Sequence, residues 1–388
     1  MQELPRTADV VIVGGGVIGL SIAYHLAKKG ITNLLLLEKD TLGAGSTGKC
    51  AGGIRMQFTT GINIRFSVLS SKIFENFRSE FGVDPEFRRV GYLFLARGER
   101  DWTILKDNAT RLKNVGIKVR LLDQEGLADQ WPFLYVDDLQ GGAYTPRDGY
   151  AGPYEVLQGF AKGARRLGVM LKEGIAVTGI RHKAGRVEGI VTSRGETVET
   201  PVVVNAAGPY AARLGEMLKL KIPVRPLRRQ VFFTDPFAFL PQETPLVIDL
   251  EHGWYMRREG SGLLLAGPQD AKSSFNEGVD FEGRAWTAER SMHRVPVLKD
   301  AKIVRGWAGL YAISPDHHAI IGSFPEMEGF ICANGFSGHG FQHSPAVGLL
   351  VSELIAEGRA SSIDIRALRP DRFRDEDLIH EPLTAFRD

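Results

Sequence analysis

A glycine cluster near the N-terminus constrains this chain more than any other feature. Val10–Val13 is a short apolar run, followed by Gly14, Gly15 and Gly16, and then by Val17, Ile18 and Gly19. Helical spacing begins there, with Ile18, Ile22 and Leu26 on one face and Gly30 closing the helix. Leu34–Leu37 is a second buried strand and ends at Glu38. Strand, glycine turn, helix, strand and acid in this order make a βαβ opening with the Gly-x-Gly-x-x-Gly fingerprint. Gly14 permits the tight turn, Gly16 lets the backbone approach a pyrophosphate, and Gly19 lets the helix pack close to the strand. The helix N-terminus supplies free N–H groups and a positive dipole end for phosphates. Glu38, about 20 residues beyond Gly19, is placed to accept from ribose hydroxyls. A glycine-rich turn without a ligand is the bland alternative, and it leaves the acid unexplained.

The motif alone does not separate a nicotinamide from a flavin dinucleotide. Three further glycine-rich segments do: residues 43–53 (GAGSTGKCAGG), 204–208 (VNAAG) and 335–340 (GFSGHG). A long flavin cofactor needs close backbone approach at several points, which glycine allows. Ordinary turns account for any one of these segments but not for the set.

The rest of the chain sets limits. Its 388 residues, 43% hydrophobic and 24% charged, suffice for two cores. The 48 basic and 46 acidic residues leave a net charge of +2, which gives no footprint for nucleic acid or an anionic membrane. Two cysteines, Cys50 and Cys332, argue against a disulfide framework and fit a reducing compartment. The first ten residues carry Glu3 and Asp9 and no apolar leader, and no run approaches the roughly 18 apolar residues of a membrane span, so a cytoplasmic location is expected. Residues 91–96, 246–250 and 262–267 read as strands of a mainly antiparallel sheet, with helices near 102–113 and 285–298. Residues 152–167 read as a helix and 202–204 as a buried strand. The expected architecture is α/β (α+β, two-domain). A dinucleotide domain of residues 1–85, 141–215 and 302–365 is interleaved with a substrate domain of 86–140 and 216–301. A charged tail, 366–388, is expected to pack loosely.

Five segments carry a family resemblance: VVIVGGGVIGLSIAYHLAKKG, GAGSTGKCAGGIRMQF, VVVNAAGPYA, RGWAGLYAISPDHHAIIG and GFSGHGFQHSPAVG. Over nearly its whole length the chain resembles the D-amino-acid oxidase superfamily, in the branch of sarcosine oxidase and glycine oxidase. It is similar to the β subunits of dye-linked L-proline dehydrogenase and heterotetrameric sarcosine oxidase. The resemblance implies a Rossmann-like FAD domain of the glutathione-reductase-2 type, with the flavin ring between the two domains and substrate on its re face. Gly14, Gly15, Gly16, Val17, Ile18, Gly19, Glu38 and Lys39 would hold the adenosine diphosphate half. Ser46, Thr47, Cys50, Ala51, Gly52 and Gly53 would run along the pyrophosphate and ribityl chain toward the ring. Val177 would lie on the adenine side, with Ala206, Ala207 and Gly208 near the pyrophosphate. Gly335, Phe336, Ser337, Gly338, His339, Gly340, Phe341 and Gln342 would sit under the pyrimidine edge.

Three departures from the family pattern shape the expectation. Gly309 stands where monomeric sarcosine oxidase tethers its flavin through cysteine, so FAD is expected to be non-covalent. Leu264 stands near the lysine that assists oxygen there. A cation stabilises developing superoxide, and its absence favours a dehydrogenase with a quinone, dye-like or protein acceptor. Gln342 replaces another lysine, and Pro153 stands where a second, covalent flavin would need histidine.

The expected catalytic residues are Arg55, Tyr255 and Gln342. Arg55, in Gly-Ile-Arg, offers a planar partner to a substrate carboxylate, against the alternative of a structural ion pair. Tyr255, in GWYMRRE, would be an aromatic wall over the ring, or else a core strand residue. Ser344 and Pro345 read as N-cap and first residue of a helix ending at Gly358, whose dipole would face the reduced flavin. His317, His318, His339 and His343 invite a metal reading. The last two straddle a Gly-Phe turn, and no carboxylate completes a ligand set, so no metal is expected. His318 reads as a solvated loop residue and Cys332 as buried core.

The implied reaction binds a neutral amine with its carboxylate on Arg55 and transfers hydride from the α-carbon to flavin N5. The imine then leaves and hydrolyses. Proline, sarcosine or glycine is the substrate type expected. The alternative is an FAD-bearing electron-relay or assembly subunit of a larger complex with no amine substrate of its own. Homo- or hetero-oligomers are compatible with either.

Overall fold

The computed structural model describes residues 3–383. Its first sheet has nine strands. Five run parallel through its centre: Met170–Lys172, Leu34–Leu37, Val10–Val13, Val203–Asn205 and Met327–Asn334. Parallel strands covered on both faces need continuous apolar sequence, and VVIV and LLLL supply it, every residue buried. In register, Val11 lies between Leu35 and Val203, and Asn205 faces Cys332, itself fully buried. Val177–Lys183, Arg186–Thr192, Thr197–Glu199 and Ile320–Phe324 complete this sheet through antiparallel pairs, apart from a parallel contact of Arg186 with Glu328.

Helix Val17–Lys28 packs between helices Pro153–Arg166 and Gly340–Glu357. The second contact is close: a Cβ at Gly348 would lie 2.1 Å from Ser21 Oγ. The last helix begins a turn earlier than Ser344-Pro345 suggested, with His339 at its N-cap and Pro345 inside it. Pro345 has no N–H for the Phe341 carbonyl, and the Ser344 hydroxyl donates to that carbonyl instead, at 2.8 Å. Gly358, at φ 75°, ends the helix as expected.

The second sheet has eight strands, in the order Ile303–Ile313, Arg225–Thr234, Gly262–Gln269, Trp254–Glu259, Leu246–Asp249, Tyr92–Ala96, Gly141–Thr145 and Arg120–Leu122. All pairs are antiparallel except Leu246–Asp249 with Tyr92–Ala96. Two of its strands, Gly141–Thr145 and Ile303–Ile313, fall in segments that the sequence division gave to the dinucleotide part. Their ladders are made with residues as far as 88 positions away (Arg225 with Ile313), which local pattern does not reveal.

The tail is also more ordered than its composition suggested. Arg372 is fully buried and forms an ion pair with Asp316 at 2.8 Å, and Leu383 is 1% exposed. Residues 384–388 of the expected tail lie outside the described residues. Among the described residues no helix is long and apolar enough to cross a membrane.

Candidate active site

The first sheet builds one wall of the site at the C-terminal ends of its parallel strands, where open α/β sheets place ligands. Gly14 has φ 117°, and a Cβ there would lie 2.3 Å from the Ala206 carbonyl oxygen. A Cβ at Gly19 would lie 2.0 Å from the Gly14 carbonyl oxygen, so strand, turn and helix close only on glycine. Gly16 is the N-cap, in extended backbone and with no side-chain cap, while the Val17 N–H donates to Thr47 Oγ1 at 3.1 Å. Glu38 accepts from the Gly15 N–H at 2.7 Å and the Asp40 N–H at 2.9 Å, which fixes its carboxylate at the strand end. Asn205 and Asn334, both fully buried, hold the next turn: they accept from the N–H groups of Ala207 and Gly208 at 3.2 and 3.1 Å. Sequence reading missed these two asparagines, although Asn205 stands directly before the Ala-Ala-Gly it noticed.

These elements enclose a cavity of about 740 Å³. Gly14, Gly16, Val17, Ile18, Glu38, Lys39, Ser46, Thr47, Cys50, Val177, Ala206, Ala207 and Gly208 line it. So do Gly309, Phe336, Ser337, Gly338, Gly340, Phe341 and, from the second sheet, Tyr255. Burial pushes the Cys50 thiol up to about 11, which leaves it protonated at neutral pH. Ser337 takes φ 47°, held by its N–H on the Ala312 carbonyl at 2.9 Å and its Oγ under the Ser314 N–H at 3.1 Å.

Other expected site residues stand behind this wall. Gly15 packs against Glu38 and Leu42, and Gly19 against the Gly14 turn. The Ala51 carbonyl accepts from Arg257 Nε at 2.6 Å. Gly52 and Gly53 meet Ala151 and Tyr150, and Gly335 packs on Ser314 and Ile320. Gln342 is 4% exposed and accepts from the Arg55 N–H at 2.8 Å.

Arg55 does not line the cavity. Its guanidinium donates to the carbonyls of Gln57 and Leu383 and lies 3.9 Å from the Phe58 ring centroid. Phe58 and the C-terminal segment thus hold the side chain in place, a constraint that Gly-Ile-Arg does not carry. Glu381 of the same segment, 2% exposed, accepts from the Thr59 and Thr60 N–H groups at 2.8 and 3.2 Å. Asp148 accepts from the Met56 N–H at 2.8 Å, and burial pushes its carboxyl up to about 8.

The histidines also differ from expectation. His318 is fully buried, not solvated, with Nε2 3.0 Å from Thr60 Oγ1 and Nδ1 2.8 Å from the Asp316 carbonyl oxygen. His339 and His343 do not straddle a turn. They occupy the first helical turn and both pack against Phe58, with ring centroids 5.9 Å apart. Burial and the Arg55 charge bring His343 down to about 3, so it is neutral. Among the described residues no cluster of three His, Cys, Asp or Glu side chains could hold a metal.

The second sheet supplies residues that sequence reading missed. Arg229 and Tyr311 line the cavity beside Tyr255. Tyr311 shares a hydrogen bond with Tyr255, and burial raises its pKa well above the usual phenol value. The Arg229 guanidinium carbon lies 5.5 Å from the Tyr255 ring centroid. No motif marks Arg229 or Tyr311. They meet because their strands pair in the register Arg229 to Gly309 and Leu227 to Tyr311.

A βαβ turn with glycine at the helix N-cap, a fixed acid and a glycine-lined cavity defines a dinucleotide-dependent oxidoreductase. The sequence profile of the FAD dependent oxidoreductase (DAO) family matches residues 9–354, and the chain belongs to that family. FAD is its cofactor. The solved L-proline dehydrogenase from P. horikoshii superposes with a TM-score of 0.90 at 31% identity, covering 97% of this chain and 100% of that one. FAD-dependent oxidoreductase domain-containing protein 1 of Xenopus laevis is 32% identical, over 97% of this chain and 85% of its own. The mitochondrial dimethylglycine dehydrogenase of Rattus norvegicus is 32% identical over 96% of this chain, which spans 45% of that protein's length.

Proposed function

We propose that this oxidoreductase oxidises the C–N bond of a small amino acid or N-alkyl amino acid of the proline, sarcosine or glycine type. One observation carries the reading: the wall that the second sheet gives to the cofactor cavity is built from Arg229, Tyr255 and Tyr311. A cation beside two aromatic rings suits a small carboxylate with an apolar body.

The residues present fit FAD. Gly14, Gly16 and the helix N-terminus would hold the phosphates, Glu38 the ribose, and the loop from Phe336 to Phe341 the ring. Bound there, FAD supplies the two-electron acceptor for the hydride that leaves the α-carbon. The chain's own part is positioning. Tyr255 and Tyr311 confine the substrate between their rings, and Val231, which also lines the cavity, helps keep bulk water away. The substrate gives up a hydride from carbon and, where its nitrogen carries one, a proton from nitrogen, leaving an imine or, from a tertiary amine, an iminium. Water then adds to the C=N carbon and the C–N bond breaks, giving a carbonyl and an amine, as two molecules from an acyclic substrate and on one opened chain from proline.

Gly309 presents no side chain for a covalent bond, so FAD is held non-covalently. Leu264 is 1% exposed and does not line the cavity, whereas Arg229 and Lys49 do, so the reading of an acceptor of quinone, dye-like or protein type rests on the relatives and not on a missing charge. That relatives are named L-proline dehydrogenase and dimethylglycine dehydrogenase supports both the substrate class and the dehydrogenase reading.

The test is anaerobic mixing of the purified yellow protein with proline, sarcosine, dimethylglycine or glycine. Loss of the flavin absorbance with at least one of them is the expected result. An unchanged spectrum with every amine would support the electron-relay or assembly reading instead.

A further inference from the structure

Six other arginines are buried, and each has partners within the chain. Arg228 pairs with Asp270 and Asp280, Arg257 with Glu259, Arg294 with Asp138 and Asp249, and Arg372 with Asp316. Arg258 donates to the carbonyls of Phe237, Leu240 and Pro241, and Arg55 to those of Gln57 and Leu383. Arg229 stands apart. It is 4% exposed, its Nη2 donates to the Gly253 carbonyl, and its buried Nε has no partner. Among the described residues no carboxylate pairs with it.

Arg55 and Arg258 also lack a carboxylate but spend their donors on carbonyls. A buried guanidinium N–H with no acceptor at all is strongly disfavoured unless a ligand completes it. Arg229 is also the one of these seven whose side chain helps to line the cavity. It lies opposite Gly309 on the neighbouring strand, so both positions face the same side of the sheet. Gly309 presents no side chain there, and Lys49 covers it, its Cβ 2.9 Å from where a Cβ at Gly309 would stand. The guanidinium therefore meets the cavity beside Lys49 and not through a gap at Gly309. Tyr255 and Tyr311 line the same cavity and share a hydrogen bond, with the Arg229 guanidinium carbon 5.5 Å from the Tyr255 ring centroid. A planar fork with an unused donor, in a cavity lined by two tyrosines, matches a carboxylate.

We propose that Arg229, and not Arg55, is the receptor for the substrate carboxylate. The assignment rests on the amino-acid oxidation reading above and names the residue that selects for an acid. It makes Arg229 a specificity determinant: an amine without a carboxylate gains nothing from it.

The test uses the FAD-loaded protein and two probes, pyrrole-2-carboxylate and pyrrole-2-carboxamide, followed by perturbation of the flavin spectrum and by the thermal midpoint. R229Q is expected to bind the carboxylate about 30- to 100-fold more weakly than the natural chain, while FAD affinity and carboxamide binding change less than about threefold. R55Q is expected to keep carboxylate affinity even where its thermal midpoint falls. R229K is expected to bind the carboxylate about tenfold more weakly, since an ammonium cannot form the paired contact. Equal carboxylate affinity in R229Q and the natural chain, or loss in R55Q alone, would overturn the proposal. Should R229Q fail to hold FAD, R229K decides by itself, and an unchanged carboxylate affinity there counts against Arg229. Absence of bleaching by every amine sinks the reaction reading, and the carboxylate titration still judges Arg229 independently.

Discussion

The two walls of the cavity are made of different material. The first-sheet wall is mostly backbone: glycine turns, a helix end with glycine at its N-cap and two asparagines that hold a third turn in place. The second-sheet wall is mostly side chain: Arg229, Tyr255 and Tyr311, set on strands far apart in sequence. Backbone recognises phosphates and an extended cofactor with little tolerance for change, because an added Cβ collides with main chain. Side chains recognise a small substrate and can be exchanged without rebuilding the sheet. The cofactor wall is therefore expected to be common to proteins of this fold, and the substrate wall to decide what each oxidises.

That contrast makes ranked predictions. Gly14→Val meets the Ala206 carbonyl and an unsuitable φ of 117°. FAD affinity should fall by at least about 100-fold, seen as a protein that purifies without flavin absorbance. A yellow, fully loaded variant would mean the turn is not part of the cofactor wall. Glu38→Ala should weaken FAD by roughly 10- to 100-fold through loss of a charge-assisted hydrogen bond, measured by FAD titration, with carboxylate affinity in the reloaded protein unaltered. Tyr311→Phe should do the reverse: substrate affinity about three- to tenfold lower and FAD unchanged, measured from steady-state KM and from FAD titration. If Tyr311→Phe lost FAD instead, the division between the walls would fail.

Asp148 lies behind the cavity, and Asp148→Asn should alter either ligand's affinity by less than about twofold. It tests pH dependence. Its folded carboxyl titrates at about 8 because burial disfavours the charge. The folded chain therefore keeps a proton that the unfolded chain releases near pH 4. Stability must decline as pH rises from about 4 to 8 through this group, and level off above it. Denaturant unfolding across that range should show the decline in the natural chain and a flatter profile in Asp148→Asn.

The same contrast explains what the sequence made legible. Spacing marked Gly14, Gly16 and Glu38, and glycine content with the family resemblance marked the loop from Gly335 to Gly340; residues of all of them line the cavity. Arg229 and Tyr311 carry no such mark. Their meeting depends on the pairing of strands Arg225–Thr234 and Ile303–Ile313, which is a tertiary fact. Arg55 drew attention because it follows the glycine segment, yet Phe58 and the Leu383 carbonyl, the latter 328 residues away, fix where it points. The tail read as loose because its charges are many. Two of them, Arg372 and Glu381, are buried against partners that only the fold brings near. Ser344-Pro345 carried a capping pattern, but Ser344 uses its hydroxyl to replace a hydrogen bond that Pro345 removes inside the helix.

The account turns on which wall holds which molecule, and a crystal structure of the FAD-loaded protein with bound pyrrole-2-carboxylate addresses that directly. The expected density shows the FAD phosphates at Gly14 and Gly16, and the probe's carboxylate within hydrogen-bonding distance of the Arg229 guanidinium, between Tyr255 and Tyr311. A carboxylate seated on Arg55, or a cofactor lying outside the glycine-lined cavity, would contradict it.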